Sequence, residues 1–221
     1  MLLKILSFLL PWPLRRRALM RWFGYEIHPT ARLGWAWVFP TKLIMAEKSR
    51  IDHFTVAIHL DLVQLDAEAT IGRSNWITGF PSDSDSPHFR HQAATRRAEL
   101  QLGRAAAVTK NHHLDCTNSL TIGAFATVAG YNSQFLTHSI NVLDNRQDSA
   151  PIHIGAYTFV GTNVVVLGGA VLPDYCVLGA KSLLNKAHTA EWTLYGGVPA
   201  RAVSELPRTA AYFNRSEGFV Y

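Results

Sequence analysis

The stretch "FVGTNVVVLGGAVLPDYCVLGAKSLLNK", Phe159 to Lys186, places aliphatic residues six apart: Val160, Val166, Leu172, Leu178 and Leu184, with Ile154 ahead of them. An amphipathic helix repeats near 3.6 residues and a half-buried strand near 2, so a sustained period of six is neither. The beat extends well beyond this segment. Leu102, Val108, Leu114 and Leu120 keep it, Ile122 and Val128 resume it after a two-residue slip, and Leu65, Ile71 and Ile77 carry it earlier. A glycine follows the aliphatic residue at positions 72, 103, 123, 155, 161 and 179. Glycine there permits a positive φ or a close backbone approach, which places a corner after each short strand. About four strand residues plus a two-residue corner, taken three times, close a triangular coil of roughly 18 residues, and such coils stack about 4.8 Å apart. The aliphatic residues then line a continuous interior. A solenoid gains stability from its neighbours and needs covered ends, so the N-terminal segment and the tail after Thr189 are read as caps.

Two segments break the pattern. "FPSDSDSPHFRHQAATRRAE", within a loop expected at 80–99, is polar, and "NVLDNRQDSAP", 141–151, directly follows "LTHSI". Loops of this length in a compact scaffold carry function or are disordered. The expected organisation is an N-terminal apolar and basic segment at 1–26, a repeat domain at 27–188, and a cap and tail at 189–221.

Composition narrows the function classes. The 221 residues are 48% apolar, enough for a large core without disulfides. The two cysteines, Cys116 and Cys176, make neither a disulfide framework nor a metal knuckle, which suits a reducing compartment. A net charge of +5 and a pI near 9.4 point to an anionic partner. No aromatic-rich basic strand or zinc-finger spacing supports nucleic-acid readout. The N-terminus, "MLLKILSFLLPWPLRRRALMRWFGYEIHP", has an apolar run too short to span a bilayer, and its arginines follow that run where a secretory signal places charge before it. Helices packed on the domain, an interfacial anchor and a signal all remain open for it, the signal last of the three.

The six-residue pattern, "LTHSI", the following loop, "IGAYTFVGTNVVVLGGAVLPDYCVLGAKSLL" and the ending "LYGGVPARAV" together resemble the hexapeptide-repeat acyltransferases. "GYEIHPTARLG" and "SQFLTHSIN" are similar to the branch that acetylates sugars in exopolysaccharide biosynthesis of the colanic-acid type. The resemblance covers roughly residues 25 to 204. It implies an all-β fold, the left-handed parallel β-helix, with an N-terminal helical segment and a C-terminal cap, assembled as a homotrimer. It also implies an enzyme that moves an acetyl group from acetyl-CoA to a sugar hydroxyl, with no metal. The expected location is the cytoplasm, with contact at the inner face of the membrane through the N-terminus.

Such a transfer needs a base for the hydroxyl proton, a donor for the developing oxyanion and alignment of both substrates. The family places a histidine after a Thr at the start of the loop, and Thr137-His138 matches it, so His138 is the expected catalytic base. Six residues on from Val128 lies Gln134, a poor interior residue, so the coil must slip or bulge just before this site. "HHLDC", 112–116, resembles a family segment whose Asn and Asp face the acceptor; here these positions are His113 and Asp115. For the acyl donor the resemblance implies a groove between two β-helices, lined by small corner residues and by basic residues near the end of the repeat. Position by position these are Thr162, Ala180, Asn185, Lys186 and Arg201. Two other readings stay open: a β-helix that is a structural module only, and a zinc-dependent carbonic anhydrase using His112 or His113, His138, and His59 or His153.

Overall fold

The computed structural model describes residues 1–218 and Val220. The chain folds as a left-handed parallel β-helix with two N-terminal helices. Three sheets form its faces, of seven, nine and seven strands, and a two-stranded antiparallel hairpin projects from the body. Each face carries one interior column at the six-residue beat. On the first, Leu65, Leu102, Ile122, Ile154 and Leu172 pair in register. Ile71, Val108, Val128, Val160 and Leu178 do so on the second. Ile77, Leu114, Phe135, Val166 and Leu184 do so on the third. All are at most 1% exposed, and each aliphatic side chain so buried contributes about 1.5–3 kcal/mol of transfer free energy.

The coils are not uniform. Glu26 pairs with Ile44, eighteen residues on, but Ile44 pairs with Gln64, twenty on. The two-residue slip in the sequence marks these longer coils, in which alternate strand residues such as Leu120 and Ile122 both point inward. The irregularity at Gln134 is an extra corner residue. Gln134 is exposed, Phe135 fills the interior, and the preceding corner takes positive φ at Gly130 and Asn132. The corner glycines serve close approach: a Cβ on Gly72 would lie 2.1 Å from the Thr109 carbonyl oxygen, and on Gly123 2.4 Å from the Ala156 nitrogen. The left-handed conformation falls two residues later, at Ser74 and Phe125.

The N-terminal cap consists of α1, Leu2–Leu9, and α2, Trp12–Phe23. Pro11 separates them, and Gly24 ends α2 at φ 69°. Arg15 of α2 is 2% exposed; its guanidinium donates to the carbonyls of Gly34 and Ala36, both at 2.8 Å, while Arg16 Nε donates to Ile27 at 2.9 Å. These arginines satisfy carbonyls of the first coil, which has no preceding coil to pair with. At the other end the coil continues beyond the expected limit at 188. Thr193–Gly196 pairs parallel with the second sheet, Arg201–Glu205 folds back antiparallel on it, and only then does the tail begin. Among the described residues no helix is long and apolar enough to cross a membrane.

Candidate active site

His138 begins the projecting hairpin, His138–Asn141 with Arg146–Ser149, where the third sheet turns toward the first. The segment expected as a plain loop from Asn141 is therefore a hairpin that starts three residues earlier. Strand pairing sets Asp115 opposite Leu136, which brings its carboxylate under the chain two residues further on. His138 Nδ1 lies 2.7 Å from Asp115 Oδ2, and the same oxygen accepts from the His138 backbone N–H at 3.0 Å and the Thr137 hydroxyl at 3.1 Å. Asp115 Oδ1 accepts from the Thr117 backbone at 3.1 Å and its hydroxyl at 2.7 Å. The Thr137 hydroxyl in turn accepts from the Asn118 N–H.

Five donors on one carboxylate fix its charge state and its direction. Burial pushes Asp115 up, but the hydrogen bonds from His138 and Thr117 and the charge of His138 outweigh it, and the group lies below its ordinary value. The same hydrogen bond to Asp115 raises His138. An ionised Asp115 can only accept, so neutral His138 carries its proton on Nδ1 and presents the Nε2 lone pair outward. The ring is 41% exposed and Asp115 7% by side chain. The sequence reading turned Asp115 toward an acceptor hydroxyl; in the structure both its oxygens are spent on its own chain.

The 80–99 segment covers this corner. Asp61 accepts from the N–H groups of Ser82 and Ala98, tying the two ends of the segment together. Arg96, 2% exposed, reaches the carbonyls of Phe80, Thr117 and Pro81 and lies over the rings of Phe80 and Phe89. A 3₁₀ turn, Pro87–Gln92, presents Phe89 edge-on to His138, 6.1 Å between ring centres. Gln92 bonds the N–H, carbonyl and hydroxyl of Ser149, and His91 meets Asp148 at 2.8 Å. The two insertions thus clasp each other beside His138 and border an open cleft of about 270 Å³ lined by His88, Ile140 and Arg146 among others. Arg96 and Gln92 were not singled out in the sequence; nothing local distinguishes them from other polar loop residues.

The remaining candidates divide between two corners. His113 is exposed on the outer face of the third sheet, paired with Trp76 and Gln134 and two strand residues from Asp115, about 6.6 Å along the strand. Asn185 and Lys186 follow Leu184, which pairs with Val166 two coils beyond Leu114, so they are exposed on the corner that carries His138. Thr162 and Ala180 stack at the opposite end of the third sheet, where a Cβ on Gly161 would touch the Ala180 nitrogen. Arg201 pairs with Gly196 at that same end. Within one chain the width of the sheet separates these two groups.

His112 belongs to neither. It is 2% exposed; its Nδ1 accepts the Ser133 N–H and its Nε2 bonds the Thr109 hydroxyl, which donates to Gly130. Burial lowers its pKa to about 4. With both nitrogens engaged in a corner hydrogen-bond ladder, it has no lone pair for a metal. His153 bonds Thr121 on another face. Among the described residues no group of three or more His, Cys, Asp or Glu is placed to hold a metal ion.

No protein-family model matches this sequence, and no curated protein matches it. Solved structures do. The polysialic acid O-acetyltransferase OatWY aligns with a TM-score of 0.62 at 14% identity, over 82% of this chain and 84% of its own. A hexapeptide-repeat acetyltransferase from Vibrio cholerae aligns at 0.49 and 18% identity, over 93% and 87%. A variant of AntD, an N-acyltransferase from Bacillus cereus, aligns at 0.48 and 10% identity, over 86% and 90%. The likeness to OatWY is one of fold, and it agrees with the three-sheeted β-helix described above.

Proposed function

We propose that the protein is an O-acetyltransferase that moves an acetyl group from acetyl-CoA to a sugar hydroxyl in surface polysaccharide biosynthesis. The observation that carries this reading is the His138–Asp115 pair: a ring fixed through Nδ1 by a buried carboxylate, with Nε2 directed outward. It is supported by the fold shared with an enzyme named for O-acetylating a polysaccharide.

In this reading the acceptor hydroxyl gives its proton to His138 Nε2 as its oxygen attacks the thioester carbonyl. A C–O bond forms, the carbonyl electrons move to oxygen, and collapse of the tetrahedral intermediate breaks the C–S bond. The imidazolium then returns the proton to the departing thiolate. Asp115 stabilises the imidazolium and holds the tautomer without itself taking the proton. His113, on the open face beside the pair, meets the acceptor.

The donor residues need a second chain. Asn185 and Lys186 share the corner with His138, whereas Thr162, Ala180 and Arg201 occupy the far end of the sheet. A homotrimer with β-helices side by side sets one corner of a protomer against the other corner of its neighbour, and the pantetheine arm then runs between them. Lys186 and Arg201 bind the phosphates. Work in the cytoplasm suits two buried free cysteines and a thioester donor.

Calorimetry with acetyl-CoA tests the donor site. Micromolar-range binding weakened about tenfold by Lys186→Ala with Arg201→Ala is expected, two exposed ionic contacts contributing roughly 0.7 kcal/mol each. Absence of binding to the natural chain would refute the reading and favour a structural module.

A further inference from the structure

We infer that the N-terminal helix pair is a docking surface for an anionic lipid bilayer. α1 uses only a narrow face against the protein: Ser7 is buried, and Phe8 packs against Trp35 and Trp37 at 6.4 and 5.9 Å. Leu2, Leu3, Ile5, Leu6 and Leu9 are left 43–74% exposed. α2 adds Leu14 and Trp22, 49% and 40% exposed, to the same end of the molecule. Scattered exposed aliphatic residues are ordinary, but five in one eight-residue helix form a continuous apolar face.

Charge selects the occupant. Residues 1–25 contain Lys4, Arg15, Arg16, Arg17 and Arg21 and no Asp or Glu. Arg15 and Arg16 are committed to first-coil carbonyls, whereas Arg17 and Arg21 are exposed on α2, four residues apart and therefore on one face. A second copy of this surface would bring like charges together; a bilayer with anionic headgroups offers apolar depth and opposite charge at once. Beside the Leu10–Trp12 turn lies a cavity of about 450 Å³ lined by Trp12, Trp35, Arg32, Arg50 and Asp52 among others, with Arg50 paired to Asp52. Amphipathic indoles at an apolar edge, next to the Arg32 guanidinium, suit the headgroup level of a membrane. Eight helical residues span about 12 Å, so α1 lies in the interface and does not cross it.

The test uses the full chain and sedimentation with vesicles of phosphatidylcholine alone or mixed with phosphatidylglycerol. Binding is expected to the mixed vesicles, falling as salt rises. Arg17→Gln with Arg21→Gln should weaken it about thirty-fold, at about 1 kcal/mol for each arginine near an anionic surface. Leu2→Ser with Leu9→Ser should abolish it while leaving the thermal melt unchanged. Three results would overturn the inference: no binding to mixed vesicles, equal binding to both kinds, or self-association abolished by the leucine changes. Release of bound protein by millimolar inorganic phosphate at constant ionic strength would assign the cavity to a soluble phosphate and also count against it. None of these readings depends on acetyl transfer.

Discussion

Replacing Asp115 by Asn keeps the size of the side chain and removes the charge that fixes His138. Asp115 Oδ2 accepts from the His138 ring, the His138 backbone and Thr137. The amide oxygen can take the Oδ1 place and keep the Thr117 donors, or the Oδ2 place and keep those of His138 and Thr137; in the first case its N–H groups face His138 Nδ1 and favour the tautomer protonated at Nε2. The lone pair needed for the acceptor proton is then lost. In serine hydrolases the corresponding carboxylate-to-amide change costs about 10⁴ in kcat; with His138 41% exposed and freer to reorient, about 10³ is expected here. The KM for acetyl-CoA should stay within about threefold, because Asp115 is buried and spends its oxygens on Thr117, Thr137 and His138, none of them a donor-site candidate. The pH profile gives an independent reading. The hydrogen bond to Asp115 raises His138 above 6.5, so the proposed base is lost from the natural protein as pH falls through that raised value. Residual activity of the variant should hold to lower pH. Initial rates of free thiol release from acetyl-CoA with a saccharide acceptor, from pH 5 to 9, measure both effects. A kcat within tenfold of the natural protein, or an unmoved acidic limb, would refute the role given to Asp115.

The same pair makes a stability prediction. His138 is raised and so stabilises fully below about 6.5, losing this as pH rises through its folded value; Asp115 is depressed and stabilises above about 3.8. The melting difference between the natural protein and Asp115→Asn should therefore be larger at pH 5.5 than at pH 8.5, by differential scanning calorimetry. Arg15→Met leaves the Ala36 carbonyl without its arginine donor and the Gly34 carbonyl with only the Ala36 N–H at the end of the solenoid, which should cost about 3 kcal/mol and lower Tm by roughly 10 °C. Gly72→Ala puts a methyl 2.1 Å from the Thr109 carbonyl oxygen; backbone cannot yield as a side chain would, and a loss of about 3 kcal/mol in denaturant unfolding is expected.

The interior was legible because every inward position repeats, and a period of six survives loops that merely interrupt it. Coil length was less so: an eighteen-residue coil and a twenty-residue coil differ by where the corner takes its extra residues, and Gln134 shows how one such residue shifts the register. The left-handed corners fall on ordinary residues such as Ser74 and Phe125, which no local pattern announces. The neighbours of His138 in sequence mark it as a candidate base. Its partner could not be assigned the same way, because Asp115 and His138 meet only through the pairing of adjacent coils, 23 positions apart. The candidate donor residues lie scattered along the sequence, and only the folded chain reveals that they sit at two corners of one sheet.

The proposed transfer turns on His138. Acetyl transfer from acetyl-CoA to a saccharide, compared between the natural chain and His138→Ala at equal acetyl-CoA occupancy by calorimetry, tests it most directly. Turnover is expected in the natural protein, with a fall of at least about 10³ in the variant and an unchanged Kd for acetyl-CoA. Full turnover by His138→Ala, or none by a natural protein saturated with acetyl-CoA across a panel of saccharides, would contradict it.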